Sequence, residues 1–484
     1  MLKQIHLVGE QKRILFLPVK NPIQIKGVAG SGKTTVAMYR AKHLQDTQSN
    51  LFEPSRVVLF TFNKTLSRYI QTLLPVIQGG YSRDSDVRDR SVRDGMGMEV
   101  INFHKWAFKF LAGRNRIIHG DTVMGPSQES VVQDAMRAQP DNGQGILAKS
   151  SDFFLEEISW MKGQMFRTAE QYNQAKRTGR GSGDRVTQKD KVVIWRVFEK
   201  YNSLLNSRGK FDFDDYALML LEEIKKPGFA PKYTHIVVDE AQDLSKAQML
   251  AISKLVKPET SSITIIADAA QRIYKSGFTW SDVGINVVGG RTKELKKNYR
   301  NTYEIFDAAT SLIAHDPDGS EFTEPIYPSG HGDKPVLCLR GSWEAQMNEV
   351  VKVLKAARSK SSTVLSRNKR DLNKIERRLR DEGMDAEMIL GNGKAALQSD
   401  AIKLCTLSSI KGLEFERVLI CDVNEGVLPN DMMASGEEDE LNVSTERRLL
   451  YTAMTRAEKE LYLFSSSSPS PFIAEMNAAL FQTR

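Results

Sequence analysis

Eight consecutive residues, Gly27–Thr34, read GVAGSGKT and have the types and spacing that bind phosphate. Glycines at 27, 30 and 32 let main-chain N–H groups close around phosphate oxygens where a Cβ would collide. Lys33 can reach the β- and γ-phosphates, and the Thr34 hydroxyl suits a magnesium ion. The run Gly27, Val28, Ala29, Gly30, Ser31, Gly32, Lys33, Thr34 and Thr35 is therefore assigned to a nucleotide. A second element must supply a metal carboxylate. In THIVVDEAQD (234–243) the apolar run His235–Val238 ends in Asp239 and Glu240. A carboxylate at the C-terminal tip of a strand faces the ligand crevice of an open α/β sheet. Asp239 can hold Mg²⁺ through water, and Glu240 can orient and deprotonate the attacking water. Alone, this acidic pair reads equally well as an ordinary turn; the phosphate loop tips the balance toward chemistry.

Such groups need a parallel sheet to position them. PIQIKGVAG (22–30) reads as a strand entering the glycine-rich turn, and KTTVAMYRAKHL (33–44) as the helix whose N-terminus favours anions. RVVLFTF (56–62), MEVINF (98–103), THIVVDEAQD and SSITIIADAAQ (261–271) read as further strands, with a helix at 63–74. Strands alternating with helices imply crossover connections. Residues 80–97, with four arginines and four aspartates, read as a solvated loop. From about 106 to 210 the pattern is helical. A second α/β block follows, with strands at 334–340, 362–367, 401–407, 417–423 and 460–465.

The bulk properties exclude other classes. Of the 484 residues 40% are hydrophobic and 26% charged, which argues against a disordered chain, a fibre or a disulfide scaffold. The net charge of +8 fits a polyanion partner, as it fits many soluble enzymes. Cys338, Cys405 and Cys421 lie far apart without metal-ligand spacing, so neither a zinc site nor a disulfide framework is expected. No apolar run approaches the ~18 residues of a membrane helix, and no signal-peptide core is seen. A reducing, cytoplasmic setting without a membrane partner is the expectation. Residues 162–191 hold eight Lys/Arg against three acids, an arrangement that suits either a solvated face or contact with a nucleic-acid backbone.

An ordered series of motifs from about residue 8 to about 465 resembles superfamily 1 helicases of the UvrD/Rep/PcrA type. GVAGSGKTT resembles motif I, LFTFNKTLSRYI (59–70) motif Ia, DEAQD motif II, ADAAQRIY (267–274) motif III and LKKNYRN (295–301) motif IV. TLSSIKGLEFERV (406–418) resembles motif V and ERRLLYTAMTRA (446–457) motif VI, while GKFDFDDYALMLLE (209–222) resembles the family's acidic stretch ahead of motif II. The resemblance implies that Gln11 reads adenine and Tyr299 stacks on it. It places Glu414 at the ribose, and Gln271 and Arg300 near the γ-phosphate. Arg456 takes the part of the arginine finger. It also implies nucleic-acid contacts at Phe62, Asn63, His104, Trp106, Thr406 and Ser408. Phe278 and Trp280 are shifted from the family's motif III aromatic, yet either could stack on a base; Trp280 is assigned to that contact, and Phe278 reads at least equally as a core residue.

The implied architecture is two RecA-like P-loop domains with parallel sheets and a helical insertion in the first. Residues 1–105 and 211–293 would form domain 1A, 106–210 the insertion 1B, and 294–484 domain 2A. Motif IV to motif V spans 111 residues. The family's second insertion, 2B, is therefore expected to be absent or reduced to a loop near 383–400. The implied function is ATP- and Mg²⁺-dependent movement on single-stranded or 3′-tailed DNA, 3′ to 5′, with strand separation. RNA remains open as a substrate, and the missing 2B bears on strand separation alone. Two other readings stand beside it. One is a nucleic-acid-gated ATPase subunit that serves a partner nuclease, including in phage defence. The other is a remodeller of RNA polymerase, because GVAGSGKTTVAMYRA is similar to the phosphate loop of HelD proteins.

Overall fold

Runs of buried β-branched residues build two wholly parallel sheets in the computed structural model, which describes residues 7–48, 54–61, 98–140, 145–175, 186–268, 270, 278–356, 361–389, 399–430 and 437–484. The first sheet comprises β1 (Ile23–Gly27), β2 (Val57–Thr61), β3 (Glu99–Asn102), β4 (His235–Val238), β5 (Ser262–Ala267) and β6 (Thr292–Leu295), in the order β3-β2-β4-β5-β1-β6. β2, β4 and β5 are buried at every position because both faces are covered. Alternation along each strand divides the contacts. Val58, Phe60, Ile236 and Val238 pack on one face, and Leu59, Val237 and Ile266 pack on the other beneath the helix Lys33–Gln48.

The second sheet comprises β7 (Val336–Leu339), β8 (Ser362–Ser366), β9 (Ala386–Met388), β10 (Ile402–Thr406), β11 (Phe415–Ile420), β12 (Ala457–Ser465) and β13 (Gln482–Thr483), in the order β13-β7-β12-β11-β8-β10-β9. Helices Tyr303–Ile313 and Glu437–Met454 cover one face, and Trp343–Lys355 and Lys369–Asp381 the other. The molecule therefore has two RecA-like α/β lobes.

Residues 103–207 add helices Phe103–Ala112, Pro126–Arg137, Ser151–Gln164 and Gln188–Ser207. The last three enclose a core of their own, including Val132, Phe154, Ile194 and Tyr201. Val123 N–H donates to Phe211 O at 2.8 Å, and Phe211 N–H to Asp121 O at 2.9 Å, closing the base of the insertion. Lys162 anchors it to the first lobe. Its Nζ lies 2.7 Å from Asp212 Oδ2 and 2.7 Å from Asp215 Oδ1, and Tyr201 Oη donates to Asp212 at 3.0 Å. The acidic stretch ahead of motif II thus fastens the insertion.

Three sequence expectations need correction. A boundary at 293/294 would cut β6, which pairs in parallel with β1 from Gln24↔Thr292 to Gly27↔Leu295 and belongs to the first sheet. Its short polar sequence, TKEL, carries no apolar run to reveal it. The segment expected as a reduced 2B loop begins instead with β9, an edge strand paired with β10; residues 390–398 lie outside the described residues. In the basic stretch 162–191, Lys162 and Lys191 are buried, and Lys191 Nζ donates to the carbonyls of Asn173 and Ala175 at 2.9 Å each. These two cations serve the fold, and 176–185 lie outside the described residues, as do the helix read at 63–74 and the loop at 80–97.

Candidate nucleotide and nucleic-acid sites

The phosphate loop leaves β1 at Gly27 and enters the helix at Lys33. Gly30 and Gly32 adopt φ of 70° and 78°, the left-handed region that glycine enters without strain. Lys33 Nζ donates to Gly27 O at 3.1 Å and Val28 O at 3.0 Å, and pairs with Asp268 Oδ2 at 2.8 Å. Thr34 Oγ1 donates to Asp239 Oδ2 at 2.8 Å, so the two residues expected to hold Mg²⁺ already touch. Burial, and then the neighbouring Glu240, push the Asp239 carboxyl up to about 7.

Glu240 follows in the left-handed region, at φ 53° and ψ 40°, which costs a non-glycine residue about 1–3 kcal/mol. Burial opposes its ionisation. Lys411, Lys33 and Arg456 outweigh that and hold the carboxyl below its usual range. Gln242 Nε2 donates to Glu240 Oε2, and Gln242 Oε1 accepts from Asp268 N–H at 3.2 Å. This amide ties the water-activating candidate to the partner of Lys33.

The second lobe contributes the arginines. Arg300 Nε donates to Glu414 Oε2 at 2.8 Å. Arg456 is buried, its Nε donates to Thr452 O at 3.1 Å, and its Nη2 has no hydrogen-bond partner among the described residues. Burial and Arg300 push Arg456 down to about 10, while Glu240 and Asp268 act in the opposite sense. Ser31 Oγ in the phosphate loop is likewise buried without a partner among the described residues. A donor-rich cleft with two orphaned donors fits a phosphate chain. A hydroxyl beside a carboxylate fits the oxygen-only, water-retaining coordination of Mg²⁺.

At the base end, Gln11 is buried, accepts from Val8 N–H at 3.1 Å and donates to Ser31 O at 2.8 Å. Its amide braces the phosphate loop in this structure. Tyr299 is 39% exposed, with its hydroxyl beside Gly9 and the Lys297 ammonium 5.5 Å from its ring centroid, a partly exposed aromatic suited to stacking on a purine. Glu414, expected at the ribose, is held by Arg300.

Fewer of the nucleic-acid expectations come together. Thr406, Ser408 and Ser409 form a hydroxyl cluster at the exit of β10, with Thr406 Oγ1 3.1 Å from Ser408 Oγ and 2.8 Å from Ser409 Oγ. His104 is half-buried, its ring edge-on to Phe103 and Phe213. Trp106 is a correction. It is 6% exposed, stacks on Phe110 and donates its indole N–H to Tyr233 Oη at 2.6 Å, so it belongs to the core. Trp280 packs partly buried on the same core, edge-on to Phe278. Phe62, Asn63 and Gln271 lie outside the described residues. Reasoning from sequence passed over Gln242, Asp268, Asn298 and Lys411. The first two follow strand ends beside Glu240 and Lys33, and position alone could have found them. Asn298 and Lys411 carry no such signal.

Comparison with known proteins follows from this geometry. Residues 7–284 match the UvrD/REP helicase N-terminal domain, and residues 387–468 the UvrD-like helicase C-terminal domain. A probable DNA helicase II homolog of Mycoplasma capricolum subsp. capricolum is 23% identical over 331 residues, 64% of this chain and 41% of that protein. The ATP-dependent DNA helicase PcrA of Staphylococcus aureus is 24% identical over 332 residues, 65% of this chain and 40% of that protein. The PcrA of Staphylococcus epidermidis is 22% identical over 315 residues, 62% and 39% of the two chains. The chain thus spans 39–41% of the length of these relatives. A solved C-terminal domain of a possible DNA helicase from a Lactobacillus is 24% identical and covers 38% of this chain and 98% of that one, with a TM-score of 0.30, and no argument rests on it.

Proposed function

The chain belongs to the UvrD/REP helicase family, and on that premise we propose that it is a Mg·ATP-dependent motor on single-stranded DNA, moving 3′ to 5′ and separating strands ahead of it. The observation that carries this reading is Arg456. A buried guanidinium whose Nη2 has no partner among the described residues, electrostatically coupled to Glu240 and Asp268 of the other lobe, has a reason to exist when an anion enters between the lobes.

Each group then has a task. Lys33 exchanges its carbonyl and Asp268 partners for phosphate oxygens. Arg300 and Arg456 stabilise charge that develops on the γ-phosphoryl group, an effect that reaches ~10³–10⁵ in rate for an arginine finger. Glu240 orients the attacking water and accepts its proton, held ionised for that purpose by Lys411, Lys33 and Arg456. Thr34 and Asp239 would hold Mg²⁺, which supplies charge neutralisation on the phosphates when bound. Tyr299 stacks on the base. Because these groups come from both lobes, the nucleotide draws the lobes together and hydrolysis releases them. A single strand lying across Thr406 and Ser408 would be moved by that cycle.

The expected setting is cytoplasmic, which three buried, unpaired cysteines suit. Among the described residues no helix is long and apolar enough to cross a membrane.

ATP hydrolysis measured with and without oligo-dT tests the motor. Strand displacement on 3′-tailed, 5′-tailed and blunt duplexes tests polarity and unwinding. Stimulation by single strands and displacement from 3′ tails are expected. Hydrolysis indifferent to every single strand would remove the proposal.

A further inference from the structure

One buried ion pair bridges the lobes without reaching the nucleotide groups assigned above. Lys411 Nζ lies 2.6 Å from Asp243 Oδ2 and 2.8 Å from Oδ1, with side chains 3% and 2% exposed. Each partner ends a short turn. Asp243 closes the turn that opens at Glu240, its N–H donating to Glu240 O at 3.1 Å. Lys411 follows the turn that opens at Thr406, where Ser409 N–H and Ile410 N–H donate to Thr406 O at 2.9 and 3.2 Å. The first turn carries the water-activating carboxylate. The second carries the hydroxyls of Thr406, Ser408 and Ser409 at the surface. One residue separates Ser409 from Lys411, and two separate Asp243 from Glu240, so the pair links the two turns through a short covalent and ionic route.

We propose that Lys411 is a positioning residue that transmits occupancy of the Thr406–Ser409 hydroxyls by a nucleic-acid phosphate to Glu240 through Asp243. The inference rests on the function proposed above. A pair this deeply buried cannot be opened on one side without leaving an uncompensated charge, so the two turns shift together. A phosphate accepted by the hydroxyls moves the outer turn, and Lys411 carries the displacement into the turn that aims Glu240.

The test is steady-state Mg·ATP hydrolysis by the full chain, with and without oligo-dT, for the wild type, Lys411→Met, Asp243→Asn, the double variant and Lys411→Arg. Oligo-dT affinity and thermal melting are recorded for each. Lys411→Met is expected to lower kcat about tenfold or more with KM for ATP within about twofold, and to abolish most of the oligo-dT stimulation while oligo-dT still binds. Asp243→Asn and the double variant should match Lys411→Met rather than multiply with it, because both remove one coupled unit. Lys411→Arg, which keeps the charge, should recover a large part of the stimulation. Full stimulation in Lys411→Met, or losses that multiply in the double variant, would overturn the proposal. Should Lys411→Met fold poorly, the ratio of stimulated to basal rate in Lys411→Arg and Asp243→Asn decides by the same criteria. A wild type unresponsive to oligo-dT would instead remove the function proposed above. The kcat loss and its non-additivity, read in nucleotide alone, would still show whether Lys411 positions Glu240.

Discussion

The main-chain N–H of Tyr299 donates to the carbonyl of Gly30 at 2.9 Å, so the segment entering the second lobe is fastened directly to the phosphate loop. Beside it, the Asn298 amide lies where a Cβ on Gly30 would stand, with Oδ1 2.6 Å away. The same Asn298 Oδ1 accepts from Arg300 N–H at 2.8 Å. One loop carbonyl and one buried amide therefore set the phosphate loop, the base-stacking tyrosine and the first arginine relative to one another. Gly30→Ala is expected to disturb all three, because it adds a clash with Asn298 to a left-handed φ. Its KM for ATP should rise at least about tenfold while the melting temperature falls only modestly, measured by nucleotide titration and calorimetry.

Glu240→Gln and Arg456→Ala separate proton transfer from charge stabilisation. Glu240→Gln keeps the side-chain shape but cannot accept a proton, so kcat should fall by about 10²–10⁴ with ATP still bound. Arg456→Ala should lower kcat by about 10³ or more. Because Nη2 of Arg456 has no hydrogen-bond partner among the described residues, this loss should far exceed any loss of stability, as judged by melting with and without nucleotide.

Trp106 divides a core role from a surface role. Truncation to alanine removes a buried indole and its bond to Tyr233, and should destabilise the fold by ~3–5 kcal/mol. Oligo-dT affinity of the folded fraction should stay unchanged. Weakened binding with an unchanged unfolding midpoint would return Trp106 to the nucleic-acid surface.

The anchor of the helical insertion should show in the pH dependence of stability. Burial, and then the Asp212 charge, push the Asp214 carboxyl up to about 7, with Asp215 adding to this and Ser159 and Lys162 opposing it. In the folded chain the group stays protonated through a range in which the unfolded chain, near 3.8, has already ionised. Its contribution is therefore fully present at low pH and declines as pH rises from 3.8 toward about 7. Asp214→Asn should flatten that part of the profile, read as the difference between variant and wild-type melting at about pH 5 and about pH 8.

What could be read from the chain itself was local. Nine residues from Gly27 to Thr35 hold both the backbone freedom and the side chains of a phosphate loop. Strand and helix on either side are legible because buried parallel strands need unbroken apolar runs, such as those of β2, β4 and β5. Asp239 and Glu240 were legible for the same reason: a strand end tells where a carboxylate will face. β6 and β9 were not, since short polar edge strands owe their existence to a neighbour rather than to their own composition.

Sequence alone thus determined the two-sheet α/β architecture and the chemistry of the phosphate loop, because contiguous residues encode both. Tertiary structure decided the rest. It turned Trp106 inward, held Glu414 against Arg300, placed Asn298 against Gly30, and closed Lys411 on Asp243 across 168 residues of chain. Such pairs form because tertiary packing, within one lobe for Trp106 and Glu414 and between the lobes for Lys411, brings distant residues within bonding distance, a condition no stretch of residues carries by itself.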